Sequence, residues 1–98
     1  MLNEQIKKLR ILNGMSQVDL AARLGISKQS VSNWENDNIQ PSIDMLLKLA
    51  RLFSVSTDYL LGLETRRYLE VSGLSETQLT HLQQIIDDLV RANNGQTE

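Results

Sequence analysis

The side chains best suited to reading a ligand are crowded into one short run, Lys28-Gln29-Ser30-Val31-Ser32-Asn33-Trp34-Glu35-Asn36. At about 100° per residue, Lys28, Ser32, Asn36, Gln29 and Asn33 share one helical arc of roughly 140°. Ser30, Val31 and Trp34 fall on the opposite side, and Glu35 stands at the arc's edge. The arc itself holds no carboxylate. An ordinary solvated helix face pairs Glu with Lys one turn apart. This one offers amides, hydroxyls and a single cation. Gln and Asn amides match adenine bidentately, Lys reaches guanine, and Ser serves either base. Lys28, Gln29, Ser32 and Asn33 are therefore the candidates for contact with base edges. Trp34 lies on the inner arc with Val31 and reads as core, not as a stacking platform.

The elements that must position this arc are legible on both sides of it. Ser16 precedes an apolar periodic stretch and reads as a helix N-cap. Met15 and Leu20 are spaced for a hydrophobic staple. Val18, Leu20, Ala21 and Leu24 form the expected inner side of that helix. Gly25 follows where a left-handed backbone would close it. Ile26 can drop into the core, and Ser27 caps the next helix. So short a turn forces the two helices to cross steeply, with the small Ala21 and Ser30 near the crossing. A helix-turn-helix of this kind can lay its second helix in a DNA major groove.

The flanking segments supply further helices. Residues 3–13 form the first, with Ile6, Leu9 and Leu12 inward and Asn13-Gly14 closing it. Ser42 caps a fourth, in which Ile43, Leu46, Leu47, Leu49 and Ala50 build core and Phe53 ends the run. Ser56 caps a short fifth with Asp58 in its first turn, where a negative charge suits the helix dipole. Tyr59 and Leu60 pack inward and Gly62 stops it.

Taken together, Ile6-Lys7-Lys8-Leu9-Arg10, Ser16 to Ala21, Gly25-Ile26-Ser27, Trp34-Glu35-Asn36, Pro41, Leu46 to Ala50 and Asp58-Tyr59-Leu60-Leu61-Gly62 form a combined signature. On these residues, positions 1 to 62 resemble the phage Cro and repressor type of helix-turn-helix domain, the XRE-like family of bacterial regulators. The resemblance implies a compact five-helix DNA-binding domain. It implies that Gln17 touches a phosphate and braces the recognition helix, and that Asn36 offers its backbone or amide to phosphate. It also implies a partly buried ion pair between Arg10 and Glu35. Ser27 and Asn38 are added here as phosphate candidates, with Gln40 beside them. Asp37 should repel phosphate, so it either points away or weakens the contact.

Composition agrees with one small domain and an appendage. The chain has 98 residues, 41% hydrophobic and 4% aromatic, so its core must be mostly Leu, Ile and Val. It has no cysteine and one histidine, which leaves no metal constellation, and no cofactor is expected. His81 reads as a solvated residue. No nucleophile–base pair and no phosphate-cradling glycine loop is visible, so an enzyme is not expected. No apolar run approaches the roughly 18 residues of a membrane span. No signal-peptide pattern opens the chain, and the expected compartment is the cytoplasm. Net charge is −2, unevenly spread: residues 1–62 carry seven Lys or Arg against six Asp or Glu, and residues 63–98 carry three against six. Phosphate contacts need local donors more than a basic whole, but a single copy should bind modestly.

The last third reads separately. Residues 63–73 form a linker, in which the alternation of Tyr68-Leu69-Glu70-Val71 allows a short strand. A lone strand is not stable and would need a partner, for instance the same segment of a second chain. Leu74 to Leu79 supplies a capping box and staple, opening a helix over 74–92. Residues 93–98 are expected to be a disordered tail. Leu79, Leu82, Ile85, Ile86, Leu89 and Val90 form one stripe on this helix, with the three-four spacing of a coiled-coil seam. The stripe either folds back on its own domain or pairs with a second copy or another protein, and the already complete five-helix domain favours pairing. The expectation is an all-α, sequence-specific regulator of double-stranded DNA, a repressor acting as a homodimer on a palindromic operator. The alternative is an antitoxin or interaction protein whose last helix binds a toxin or a protein antagonist.

Overall fold

The computed structural model describes residues 1–95 and is all-helical: among the described residues there are six helices and no strand. They are α1 (Leu2–Leu12), α2 (Gln17–Leu24), α3 (Lys28–Glu35), α4 (Ile43–Phe53), α5 (Thr57–Leu60) and α6 (Glu76–Asn93). Five of the six start on a serine. Ser16, Ser27, Ser42, Ser56 and Ser75 each take extended backbone, and each Oγ accepts the N–H of the third residue of its helix. Each bond satisfies a donor that a helix N-terminus otherwise leaves unpaired. Ser16 with Asp19, and Ser75 with Gln78, form full capping boxes.

The first five helices enclose one core of Ile6, Leu9, Leu20, Ala21, Leu24, Val31, Trp34, Leu49, Phe53 and Leu60. α1 lies at the centre, against α3, α4 and α5, while α2 packs on α3 and α4. Gln5 of α1 adds a bond from its Nε2 to the Tyr59 carbonyl at 3.1 Å. Met15, Ile26 and Tyr59 are half-buried and pack against the core. Several expected core residues lie outside it. Leu12, Val18, Ile43 and Leu47 are all exposed. The buried arc of α1 is Ile6, Leu9 and Arg10, and Leu12, the last residue of the helix, falls outside it. In α2 the arc is Leu20, Ala21 and Leu24, and Val18 points well off it. At the start of α4 the buried residue is Pro41, not Ile43.

Gly25 closes α2 at φ 71°, and the next N–H, that of Ile26, reaches back to the Ala21 carbonyl at 3.0 Å. This left-handed stop makes the α2–α3 turn short. The alternating segment 68–71 has no regular structure, because among the described residues no strand lies beside it to complete a ladder. α6 runs through Asn93, one residue into the expected tail, and Asn94 and Gly95 close it in a turn. The rest of that expected tail lies outside the described residues. No residue of α6 is buried. With α6 standing off the body, the radius of gyration is 16.4 Å, against about 13 Å for a compact chain of this length.

Two consequences can be measured. A Cβ at Gly25 would meet no atom within 4 Å, so its cost is purely conformational. Gly25→Ala should destabilise the fold by about 1 kcal/mol in chemical denaturation. Asp19 accepts the Ser16 backbone N–H at 2.9 Å, which, with the serine hydroxyl, holds its carboxyl below the ordinary 3.8. A carboxyl depressed by folding stabilises above its unfolded pKa, and that contribution fades as pH falls through the folded value. Asp19→Asn should therefore lower stability near neutral pH but converge with the parent in acid well below 3.8.

Candidate DNA-binding surface

Three helices are joined by one buried polar hub. Arg10 of α1 donates Nε–H to Glu35 Oε2 at 2.7 Å and Nη2–H to Oε1 at 3.0 Å. Its Nη1 reaches the Met15 carbonyl, in the α1–α2 loop, at 2.8 Å. Gln17, the first residue of α2, donates Nε2–H to Glu35 Oε1 at 3.1 Å. Both charged residues are buried, and no buried side-chain polar atom among the described residues lacks a partner. The bond to Glu35 raises the Arg10 pKa above its ordinary value, against the opposing effect of burial. A bidentate guanidinium–carboxylate pair is geometrically specific. Here it holds the end of α3 against α1, and the Gln17 bond adds the start of α2. The pairing of Arg10 with Glu35 was expected. The Gln17 bond is the bracing of the recognition helix that the resemblance implies, whereas the Met15 bond was not expected.

Anchored by Val31, Trp34 and Glu35, α3 turns its polar arc outward. Lys28 and Gln29 are exposed, while Ser32 and Asn33 are half-buried. The arc is ordered by its own bonds. Gln29 Nε2 donates to Asn33 Oδ1 at 3.1 Å, and Asn36 Nδ2 to Ser32 Oγ at 3.3 Å. Each amide has two donors and an acceptor with two lone pairs, so these links orient the groups and leave hydrogen-bonding capacity facing outward. Ser27 Oγ is engaged as the cap and lies 3.0 Å from Ser30 Oγ.

The loop after α3 folds back under it. Asn38 N–H donates to the Asn33 carbonyl at 2.9 Å, and Asp37 adopts φ 59°. The Asp37 carboxylate accepts from Gln40 Nε2 at 3.1 Å. That contact draws the Gln40 amide to the carboxylate. The Asn38 side chain stays exposed. On α6, Ile85, Ile86, Leu89 and Val90 are exposed, and Leu79 and Leu82 are half-buried beside residues 67–71.

Glu35→Ala would leave the Arg10 guanidinium buried without its partner. The expected loss is about 3 kcal/mol of stability in urea denaturation, whereas replacing both residues by Met and Leu together should recover most of it. A single substitution as mild as a surface change would mean that the pair does not anchor α3.

Comparison with known proteins places this geometry. The helix-turn-helix family model matches residues 6–60. The chain is 42% identical over 78 residues to the HTH-type transcriptional regulator ImmR of Bacillus subtilis strain 168, an alignment covering 80% of this chain and 58% of that protein. It therefore spans little more than half the length of that relative. Among solved structures, the DNA-binding domain of the P22 c2 repressor superposes with a TM-score of 0.59 at 29% identity, over 68% of this chain and 91% of that one. A chain from the SinR protein/SinI protein complex superposes with a TM-score of 0.60 at 27% identity, over 98% of this chain and all of that one. The chain belongs to the helix-turn-helix family of transcriptional regulators.

Proposed function

We propose that this chain binds double-stranded DNA in a sequence-specific manner and represses transcription as a homodimer on an inverted repeat. The observation that carries the reading is the carboxylate-free arc of α3, held outward by the Arg10–Glu35 hub. Lys28, Gln29, Ser32 and Asn33 read base edges. Gln17, Ser27, Asn36 and Asn38 meet phosphate, which fixes register without reading sequence. Gln17 suits a double role, since one N–H holds Glu35 and the other is available to a phosphate oxygen.

The same proposal divides the chain into a DNA-binding body (1–62), a linker (63–73) and a pairing helix (74–92). Ile85, Ile86, Leu89 and Val90 lie along one exposed stripe of α6, and such a stripe is covered when two copies pair. A two-fold pair presents two recognition helices about 34 Å apart, one turn of DNA. Two modest contacts then act as one strong one. Repression follows by covering promoter DNA. A second reading, that α6 takes a different protein chain as antagonist, is favoured by the likeness to a chain solved in complex with a second protein. Among the described residues no helix is long and apolar enough to cross a membrane, in keeping with action on DNA.

Selection of sites from random duplex DNA at near-physiological salt tests the main reading. The expected result is an inverted repeat with half-site centres about 10 to 11 base pairs apart. Only weak binding with no enriched motif would sink it in favour of the protein-partner reading. On the selected site, Gln29→Ala should cost about 1–3 kcal/mol and relax preference at one base pair. Gln17→Ala should weaken all sequences alike. The double change Leu82→Asp with Leu89→Asp should give a monomer with much weaker operator binding, and unchanged affinity from that monomer would refute pairing through α6.

A further inference from the structure

Between the end of α5 and the N-cap of α6 the chain has no helix and no strand. Left free, a tether of this kind acts as a swivel. One side chain in it reaches back to the body. Arg67 donates Nη2–H to the carbonyl of Phe53 at 3.2 Å. Phe53 is the last residue of α4 and its ring is buried in the core. Its carbonyl is one of the four that a helix leaves unpaired at its C-terminus, where the dipole also favours a cation. The left-handed Ser54 ends α4 at this point, so no N–H of a further helical turn meets the Phe53 oxygen, and Arg67 does. The same arginine borders a cleft of about 300 Å³ whose other wall is Leu79, Leu82 and Ile86 of α6. It thus stands between the end of a core helix and the start of the α6 stripe. Its neighbour Arg66 offers a contrast, because the bond there is from its backbone N–H to the Glu64 carboxylate, at 2.7 Å.

We propose that Arg67 is a specificity-determining residue: it sets how the DNA-binding body hangs from α6, and so which half-site spacing the protein accepts. The inference rests on the reading above of an α6-paired dimer on an inverted repeat. In such a dimer the two-fold axis lies at the α6 pair. The place of each recognition helix relative to that axis is fixed only as well as the body is fixed to α6. One added base pair moves a half-site by about 3.4 Å and turns it by about 35°. A body swinging on a free tether absorbs that change. A body pinned at the end of α4 does not, because binding of the second half-site is lost when geometry forbids simultaneous engagement. Arg67 touches no base in this scheme. It discriminates among operators by their spacing.

The test uses the full chain and duplexes carrying the half-sites chosen by the wild-type protein, with the central spacing changed by one and two base pairs in each direction. Dimer state is followed by sedimentation. Wild type should lose about tenfold or more in affinity for one base pair added or removed, the cost of straining a pinned geometry. Arg67→Ala should remain dimeric and bind the best spacing somewhat less tightly. Its loss on changing the spacing should shrink to less than about threefold, as expected for a loosened tether. Arg66→Ala removes the same charge from the same segment and should keep the sharp wild-type profile. The proposal is overturned if dimeric wild type is already indifferent to spacing, if Arg67→Ala stays as sharp as wild type, or if Arg66→Ala flattens the profile equally. A monomeric wild type bound to single half-sites would instead overturn the dimer reading, and the proposal with it.

Discussion

The bond between Arg10 and Glu35 is the constraint on which the rest of the molecule depends. α3 has only eight residues and few apolar ones, with Val31 and Trp34 as its buried anchors. Those two fix which face is inward but stand within one turn of each other, so they leave the tilt of the helix open. Glu35, at its last turn, removes that freedom by accepting from α1 and from α2 at once. The guanidinium that holds it is itself tied to the Met15 carbonyl of the loop that begins the motif. A buried ion pair is weak evidence for stability, since desolvation opposes attraction. Its value here is orientation. Amides read base edges over a narrow range of angles, and a recognition helix that rocked would present Gln29 and Asn33 to no base in particular.

The same logic explains the bonds on the outer face. Gln29 and Asn33 are linked, as are Ser32 and Asn36. Free amide side chains would lose rotamer freedom on meeting DNA, at a cost of order 1 kcal/mol each. Chains already held in one arrangement lose less. Pre-organisation therefore runs outward in layers: core to Glu35, Glu35 to α3, and α3 to its own polar row.

Much of this was legible in the sequence because it is local. Serine caps, the αL glycine at position 25 and the 3.6-residue rhythm are determined by neighbours within one turn, and all five serine starts lie where the sequence places them. The misplaced core residues have a common cause. Periodicity tells which residues share a face but not how far the opposing surface extends. Leu12 and Ile43 are end residues of their helices, and Val18 and Leu47 fall outside the buried arcs of theirs. Bonds from side chains to remote carbonyls leave no periodic trace at all. Gln5 to Tyr59, Arg10 to Met15 and Arg67 to Phe53 depend on where a backbone oxygen ends up in space. The residues assigned to DNA carry the signature of their type, but which base each would read depends on the duplex itself.

The proposed division of labour between body and α6 rests on magnitude. One recognition helix with a few short polar groups gains about 1–3 kcal/mol of discrimination per good contact. Telling an operator from bulk DNA takes about 4–10 kcal/mol. A body of near-neutral charge has little non-specific attraction to add, since residues 1–62 carry seven cations against six anions. A single copy therefore suffices only where most of its four candidate residues make good contacts. In the proposed pair a second copy adds margin, but only if the relative placement of the two is as well defined as each helix within its own body. A flexible join would return as entropy much of what the second contact contributes. In the proposed dimer the linker is thus part of the recognition apparatus, and the precision of the Arg10–Glu35 hub is of use only in proportion to the precision with which the body is held to α6.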